Sequence, residues 1–267
     1  MSAKKTPENY IDKALQGAIS KPEQMSAIEV ASHKYYYTPE QQFDDISKVM
    51  VIKEMCHFVK KGRILDLGYI NDIWTKTLLE MGGTVDIIEA ASDHVERARS
   101  DFRHEPRVTV FQTLFEDYKP AEQYDTILMS GVIKHVPHDV DFLRTTKDWL
   151  KPNGVVVAGT PNSRSFHRRL GAYMGLELVP DEHNQRDKEV FNVHLYDRFR
   201  WRAIFLQAGY EVLKIKGVFL KILSTEQMIY LGRKYDIAKI MEGLRQMGEE
   251  LEDYAWYLLL VARVPQS

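Results

Sequence analysis

Two histidines, His135 and His194, sit among polar and aromatic neighbours in Lys134-His135-Val136 and His194-Leu195-Tyr196. An imidazole of ordinary pKa, near 6.5, can take a proton from a hydroxyl or amine at neutral pH, so both are candidate general bases. For His135, capping the next helix or holding its loop is an equally good reading. Between Asn162 and Tyr196 polar residues concentrate: Arg164, His167, Arg168 and Arg169, then His183-Asn184-Gln185-Arg186-Asp187. Guanidinium groups there would clamp an anionic part of a substrate, although Arg164 and Arg169 also read as solvated helix charges. Asn162, His167, Arg168 and Tyr196 are therefore expected to face an acceptor, together with Tyr36 and Tyr37 of the patch Tyr35-Tyr36-Tyr37. His183 and His194 have no short-spaced His or Cys partner, so no metal site is expected.

These residues need a scaffold, and its elements alternate. Residues 1 to 42 read as a polar, irregular arm punctuated by Pro7, Pro22 and Pro39. A helical stripe runs from Phe43 to Cys56. Short buried strands follow at 63–67, 84–88, 108–111, 125–129 and 155–159, with helices between them at 73–81, 92–99 and 140–150. Ser92 is the expected N-cap of its helix. This alternation predicts βαβ crossovers and a parallel sheet covered on both faces. The end differs: a helix at 199–208, a strand at 210–216, helical stretches at 225–231 and 235–251, and a last strand at 254–264. His135 then lies at the carboxyl end of the fourth strand. The connection after the fifth strand, about 161–196, is far longer than such a link requires and predicts a helical substrate cover. Within it Phe166, Leu170, Tyr173 and Met174 form one apolar face, expected to pack on the core.

Composition narrows the classes. The chain has 267 residues, 44% hydrophobic and 28% charged, with a net charge of −2. This is a globular profile without the basic excess that bulk nucleic-acid or anionic-membrane binding needs. One cysteine excludes an internal disulfide framework. No secretory leader is visible, and the run at 258–262 is too short to span a bilayer. A cytoplasmic protein is expected, with a homodimer or pairing with an active homologue left open.

Several motifs in register carry a resemblance. Ile64-Leu65-Asp66-Leu67-Gly68 follows a basic turn, and Glu89 ends the second strand. Gln123-Tyr124-Asp125-Thr126-Ile127 enters the fourth strand, and Val132-Ile133-Lys134-His135-Val136 follows it. Trp149-Leu150-Lys151-Pro152-Asn153-Gly154 precedes the fifth, which Thr160-Pro161-Asn162 ends. Together, over about residues 43–217 plus the closing strand, these resemble the class I S-adenosylmethionine-dependent methyltransferases. The resemblance implies an α/β, Rossmann-like fold: a mostly parallel seven-stranded sheet with one antiparallel strand and helices on both faces. Residues 1–42 would form a lid and 43–267 the methyltransferase-like domain. It implies S-adenosylmethionine as cofactor, bound by Gly68, Tyr69, Glu89, Ala90, Leu114, Phe115 and Gly131. Glu89 would accept the ribose hydroxyls.

The first turn departs from the family pattern Gly-x-Gly-x-Gly, reading Gly68-Tyr69-Ile70-Asn71-Asp72. A branched residue resists positive φ, and Asp72 would bring a carboxylate toward the ligand's own. Lys134 stands where similar proteins carry an acid before the histidine. Three readings follow. The first is methyl transfer to an oxygen or nitrogen of a small natural-product or saccharide-type acceptor. The second is a methyltransferase-like partner or regulator that no longer binds the cofactor. The third is a cyclase or lyase using the same ligand. Phe219-Leu220-Lys221 and Gln227-Met228 resemble a segment of relatives that act on polyketide, peptide or sugar intermediates, without a role assigned.

Overall fold

The computed structural model describes residues 9–34, 40–176 and 181–266, with backbone alone for 33–34 and 40–46. Helices α1 (Tyr10–Leu15), α2 (Lys21–Lys34) and α3 (Glu40–Cys56) precede β1 (Arg63–Leu67). Then come α4 (Ile73–Glu80), β2 (Thr84–Glu89), α5 (Ser92–Asp101), β3 (Val108–Gln112), β4 (Tyr124–Ser130), α6 (Asp139–Thr146) and β5 (Leu150–Pro161). The remainder is α7 (Phe166–Tyr173), α8 (Gln185–Glu189), α9 (Arg198–Gln207), β6 (Glu211–Val218), α10 (Thr225–Gly232), α11 (Ile237–Glu250) and β7 (Tyr257–Arg263).

One seven-stranded sheet has the order β3-β2-β1-β4-β5-β7-β6. β1 to β5 run parallel, and β7 is inserted antiparallel to both β5 and β6. The expected Rossmann-like architecture is thus observed. Because the sheet is covered on both faces, its central strands are apolar throughout rather than alternating. Leu65, Leu67, Ile127 and Met129 pack with Trp201 and Phe205 of α9 on one face. Ile64, Ile87, Leu128 and Leu259 pack with Met55 of α3, Leu78 of α4 and Leu244 of α11 on the other. Asp66 and Asp86 are polar exceptions in buried runs. Asp86 is answered by Arg63 at 2.7 Å and Tyr124 at 2.8 Å. Asp66 is not, and this leads to the site.

Three local expectations fail. The amino-terminal arm is helical, not irregular, over α1 and α2. Its buried stripe is made of small residues, Ala14, Ala27 and Ala31, which with Tyr10 pack on Phe191 and Val193 of the long insert. Ser92 is the first residue of α5 rather than its cap. The carboxylate of Glu29, from α2, accepts from Ser92 N at 2.9 Å and Oγ at 2.7 Å. With Gln24 donating to Glu116 at 2.9 Å, α2 is fastened across the ends of β2 and β3. Finally, α7 turns its apolar residues outward: Tyr173 is 85% and Met174 58% exposed, while Arg168 is 8% exposed. The buried ion pair of Arg168 decides that orientation, as shown below.

Candidate functional site

At the head of β1 the chain bends without a glycine-rich turn. Of the five residues 68–72 only Gly68 has positive φ, 84°, so Ile70 is never asked to adopt the conformation a branched residue resists. Asn71 Oδ1 accepts from Ile73 N at 3.2 Å, a side-chain-to-backbone bond that closes the turn in place of glycine flexibility. Asp72 pairs with Lys76 one helical turn on, which offsets its charge. The space over Gly68 is close: a Cβ there would lie 3.0 Å from Val132 Cγ1 and 4.0 Å from Phe115 Cζ. The Tyr69 ring is buried, stacks edge-on against Phe102, and its hydroxyl donates to Asp101 at 2.6 Å. Its side chain therefore braces α5, and only its backbone belongs to the turn.

That backbone meets Glu89. Tyr69 N donates to Glu89 Oε2 at 2.9 Å, and Ala90 N and Ala91 N donate to Oε1 at 2.7 Å each. His94 Nδ1 lies 3.5 Å from the same carboxylate. The Glu89 carboxyl is thus fixed by main-chain donors at the carboxyl end of β2. Beside it Asp66 is 4% exposed, and among the described residues nothing hydrogen-bonds to its carboxyl. Burial, with the Glu89 charge adding to it, pushes the Asp66 pKa up to about 8. An isolated carboxyl in such a place costs free energy that a cation would recover. Leu114 is buried and Phe115 leans on Phe142, with ring centroids 6.1 Å apart. Gly131 ends β4 with φ 72°, and a Cβ there would approach the Tyr257 hydroxyl at 3.3 Å.

The residues present fit S-adenosylmethionine, the group this fold implies. Asp66 suits an ammonium, Glu89 the ribose hydroxyls through its remaining lone pairs, and Leu114 and Phe115 an apolar ring. Gly68 and Gly131 bring bare backbone to the strand ends, where ligands of doubly wound sheets bind.

The acceptor-side expectations divide differently. His135 Nδ1 bonds to Phe191 O at 3.1 Å; burial, with Lys134 assisting, pushes its pKa down to about 3. His194 bonds through Nε2 to Pro137 O at 3.1 Å and through Nδ1 to Arg200 at 3.3 Å, and burial holds its pKa low. Both imidazoles tie the insert to the loop after β4. Tyr196 is buried with its hydroxyl donating to Asp139 at 2.7 Å. Asn162 donates to Asp253 O and Ala255 O and accepts from Arg164 N, which joins β5 to the start of β7. Arg168 is spent on Asp187 at 3.0 Å and Glu182 O at 2.9 Å. Asn184 Oδ1 and the Asp187 carboxylate form a reciprocal cap on α8. Arg164 pairs with Asp181 and Asp197.

His167 differs. Its Nδ1 meets Ser165 Oγ at 3.1 Å, while Nε2 has no partner among the described residues. Burial, then the charges of Lys221 and Arg168, hold its pKa well below the usual value. Tyr36 and Tyr37 lie outside the described residues. Asp66, buried beside Glu89, was not among the residues expected at this turn. The available signal for Asp66 was a charged residue inside a run otherwise suited to a buried strand.

Comparison with known proteins agrees with this geometry. A family model described as a methyltransferase domain matches residues 40–215. A ubiquinone biosynthesis O-methyltransferase of Ruegeria pomeroyi is 28% identical over 179 residues, covering 62% of this chain and 67% of that protein. An S-adenosylmethionine-dependent methyltransferase from Mesorhizobium loti superposes with a TM-score of 0.56 at 16% identity, over 81% of this chain and 97% of that one. The glycopeptide N-methyltransferase MtfA, solved with S-adenosylmethionine, gives 0.52 at 13% identity, over 80% and 87%. The match over most of the chain, on a seven-stranded sheet of this order, places it in the methyltransferase-domain family of class I, S-adenosylmethionine-dependent methyltransferases.

Proposed function

We propose that this chain methylates a hydroxyl oxygen of a small-molecule acceptor. The observation that carries the reading is the unpartnered Asp66 carboxyl beside the amide-fixed Glu89 and the positive-φ Gly68. Asp66, Glu89, Ala90, Leu114, Phe115 and the backbone at Gly68, Tyr69 and Gly131 hold the cofactor. S-adenosylmethionine, when bound, supplies an electrophilic methyl group on a sulfonium centre. The similarity to O-methyltransferases favours oxygen over nitrogen as the acceptor atom.

The protein contributes position and proton removal. His167 is the base in this reading: with its Nδ1 proton donated to Ser165 Oγ, the Nε2 lone pair is left to take the hydroxyl proton. Its lowered pKa keeps the ring unprotonated, and so open to a proton, through the physiological range. His135, bonded to Phe191 O, and His194, bonded to Pro137 O and Arg200, position the insert. The α1–α2 arm, bound at Ser92 and Glu116 on one side and Phe191 on the other, lies over this end of the sheet and limits the entry of water.

The test is release of S-adenosylhomocysteine with a panel of catechol-type acceptors. His167→Ala lowers kcat about a hundredfold, the size of one general base, without changing S-adenosylhomocysteine affinity. Because the His167 pKa is lowered, the acid limb of the wild-type rate profile falls below pH ~6.5. A limb at or above that value, or an unimpaired His167→Ala, contradicts the assignment.

A further inference from the structure

Two hollows of about 300 Å³ and about 230 Å³ lie at the insert. Arg164 and Asp181 wall both, so the two adjoin. Arg169, Ala172 and Tyr173 of α7 complete the first, and Leu195, Asp197 and Arg200, around the start of α9, complete the second. Neither wall includes a residue assigned above to the cofactor or to proton removal. Together the hollows reach the size that small ligands occupy.

The charged side chains there fall into two kinds. Both carboxylates turn to Arg164: Asp181 accepts from Nη2 at 2.6 Å and from Nε at 3.0 Å, and Asp197 lies 3.5 Å from the same Nε. Arg164 holds the Asp181 carboxyl below its ordinary value, and Ser163 Oγ donates to it at 3.3 Å. Asp197 also accepts from Arg200 N at 2.8 Å, capping α9. The shared wall is therefore an ion-paired group. The other two guanidiniums, one in each hollow, stand outside it. Arg169 lies over the Tyr254 ring, 5.1 Å from its centroid, and Arg200 over the Tyr196 ring, at 5.5 Å. Among the described residues neither has a carboxylate partner. Arg200 gives one N–H to His194 Nδ1 at 3.3 Å. A guanidinium stacked on a ring is held by its face, and its fork of N–H groups stays in plane to meet a phosphate or carboxylate with paired bonds.

We propose that the two hollows form one site for a small molecule with two anionic groups, phosphate or carboxylate, one on Arg169 and the other on Arg200. The site is separate from that of the cofactor, and it stands whether or not the chain transfers a methyl group. Three guanidiniums against two carboxylates leave the walls positive. A single acid group answers one of the unmatched cations; a two-headed anion answers both, its second contact being made at the high effective concentration that the first confers.

Isothermal titration of the whole protein with a sugar bisphosphate and its monophosphate tests it, with adipate and hexanoate as the carboxylate pair. In at least one pair, such as fructose 1,6-bisphosphate against fructose 6-phosphate, wild type binds the two-headed member at least about tenfold tighter. The pair with the tighter two-headed ligand names the acid. Arg169→Gln and Arg200→Gln each remove the preference, whereas Arg202→Gln, an exposed arginine of α9, leaves it, which separates the site from general attraction to a basic surface. Denaturation midpoints unchanged from wild type exclude misfolding as the cause. No preference in either pair, a preference that survives in Arg169→Gln or Arg200→Gln, or an equal loss in Arg202→Gln overturns the proposal.

Discussion

Replacing Asp66 by Asn stabilises the ligand-free protein at neutral pH, by on the order of 3 kcal/mol, and abolishes its affinity for S-adenosylmethionine. The Asp66 carboxyl is raised to about 8 by burial and by Glu89, against an ordinary value near 4. Below pH ~4 folded and unfolded chains both hold the proton, and the group carries no penalty. Between about 4 and 8 the unfolded chain releases it while the folded chain retains it, so folding is progressively disfavoured as pH rises. Above the folded pKa the loss is complete and constant. Asn resembles the protonated acid at every pH. Denaturant unfolding at a series of pH values should therefore show the two proteins equal near pH 4 and diverging up to pH 8, with Asp66→Asn the more stable. Parallel curves would show that Asp66 is not the strained group described here. Stability gained with binding lost is the usual mark of a residue kept for function.

Glu89→Ala has a comparably large effect in the opposite direction on stability. It strips the acceptor from Tyr69, Ala90 and Ala91 N–H groups at once. Buried donors left unpaired cost about 1–3 kcal/mol each before relaxation and water entry. A net loss of about 3 kcal/mol is expected, measured as a lowered denaturation midpoint; an ordinary exposed glutamate would change it by less than about 0.5 kcal/mol. Affinity for S-adenosylhomocysteine is expected to fall more than about a hundredfold, since the turn loses its anchor and, in the reading proposed above, the ribose its acceptor. With the neighbouring charge gone, Asp66 also gives up its proton at lower pH. The two substitutions are therefore not additive.

Much of the fold was legible in the sequence because parallel strands buried on both faces leave unbroken apolar runs, and the turns between them carry glycine, proline or asparagine. The arm was not, because α2 buries alanines and secures itself with Glu29 and Gln24, polar residues that leave no helical stripe. The apolar face of α7 misled for a related reason. An Arg168–Asp187 pair at 3.0 Å could not be left exposed to the core side half-satisfied, and so Phe166, Tyr173 and Met174 face outward. Register alone placed Gly68, Glu89 and Gly131 at the ends of their strands, where the structure has them. The missing glycines weighed too heavily, since only Gly68 needs positive φ and Asn71 closes the turn with its side chain. His135 and His194 were expected as bases, but the carbonyls of Phe191 and Pro137 that hold them lie far along the chain and leave no local signal.

In the reading proposed above, the turn after β1 holds S-adenosylmethionine with Asp66 meeting its ammonium. Titration calorimetry of the intact protein at pH 7, in two buffers of different ionisation heat, tests it most directly. One-to-one binding is expected, with close to one proton released per molecule bound, as the neutral Asp66 carboxyl ionises against the incoming cation. No heat at millimolar S-adenosylmethionine, or binding whose heat is the same in both buffers, would contradict it.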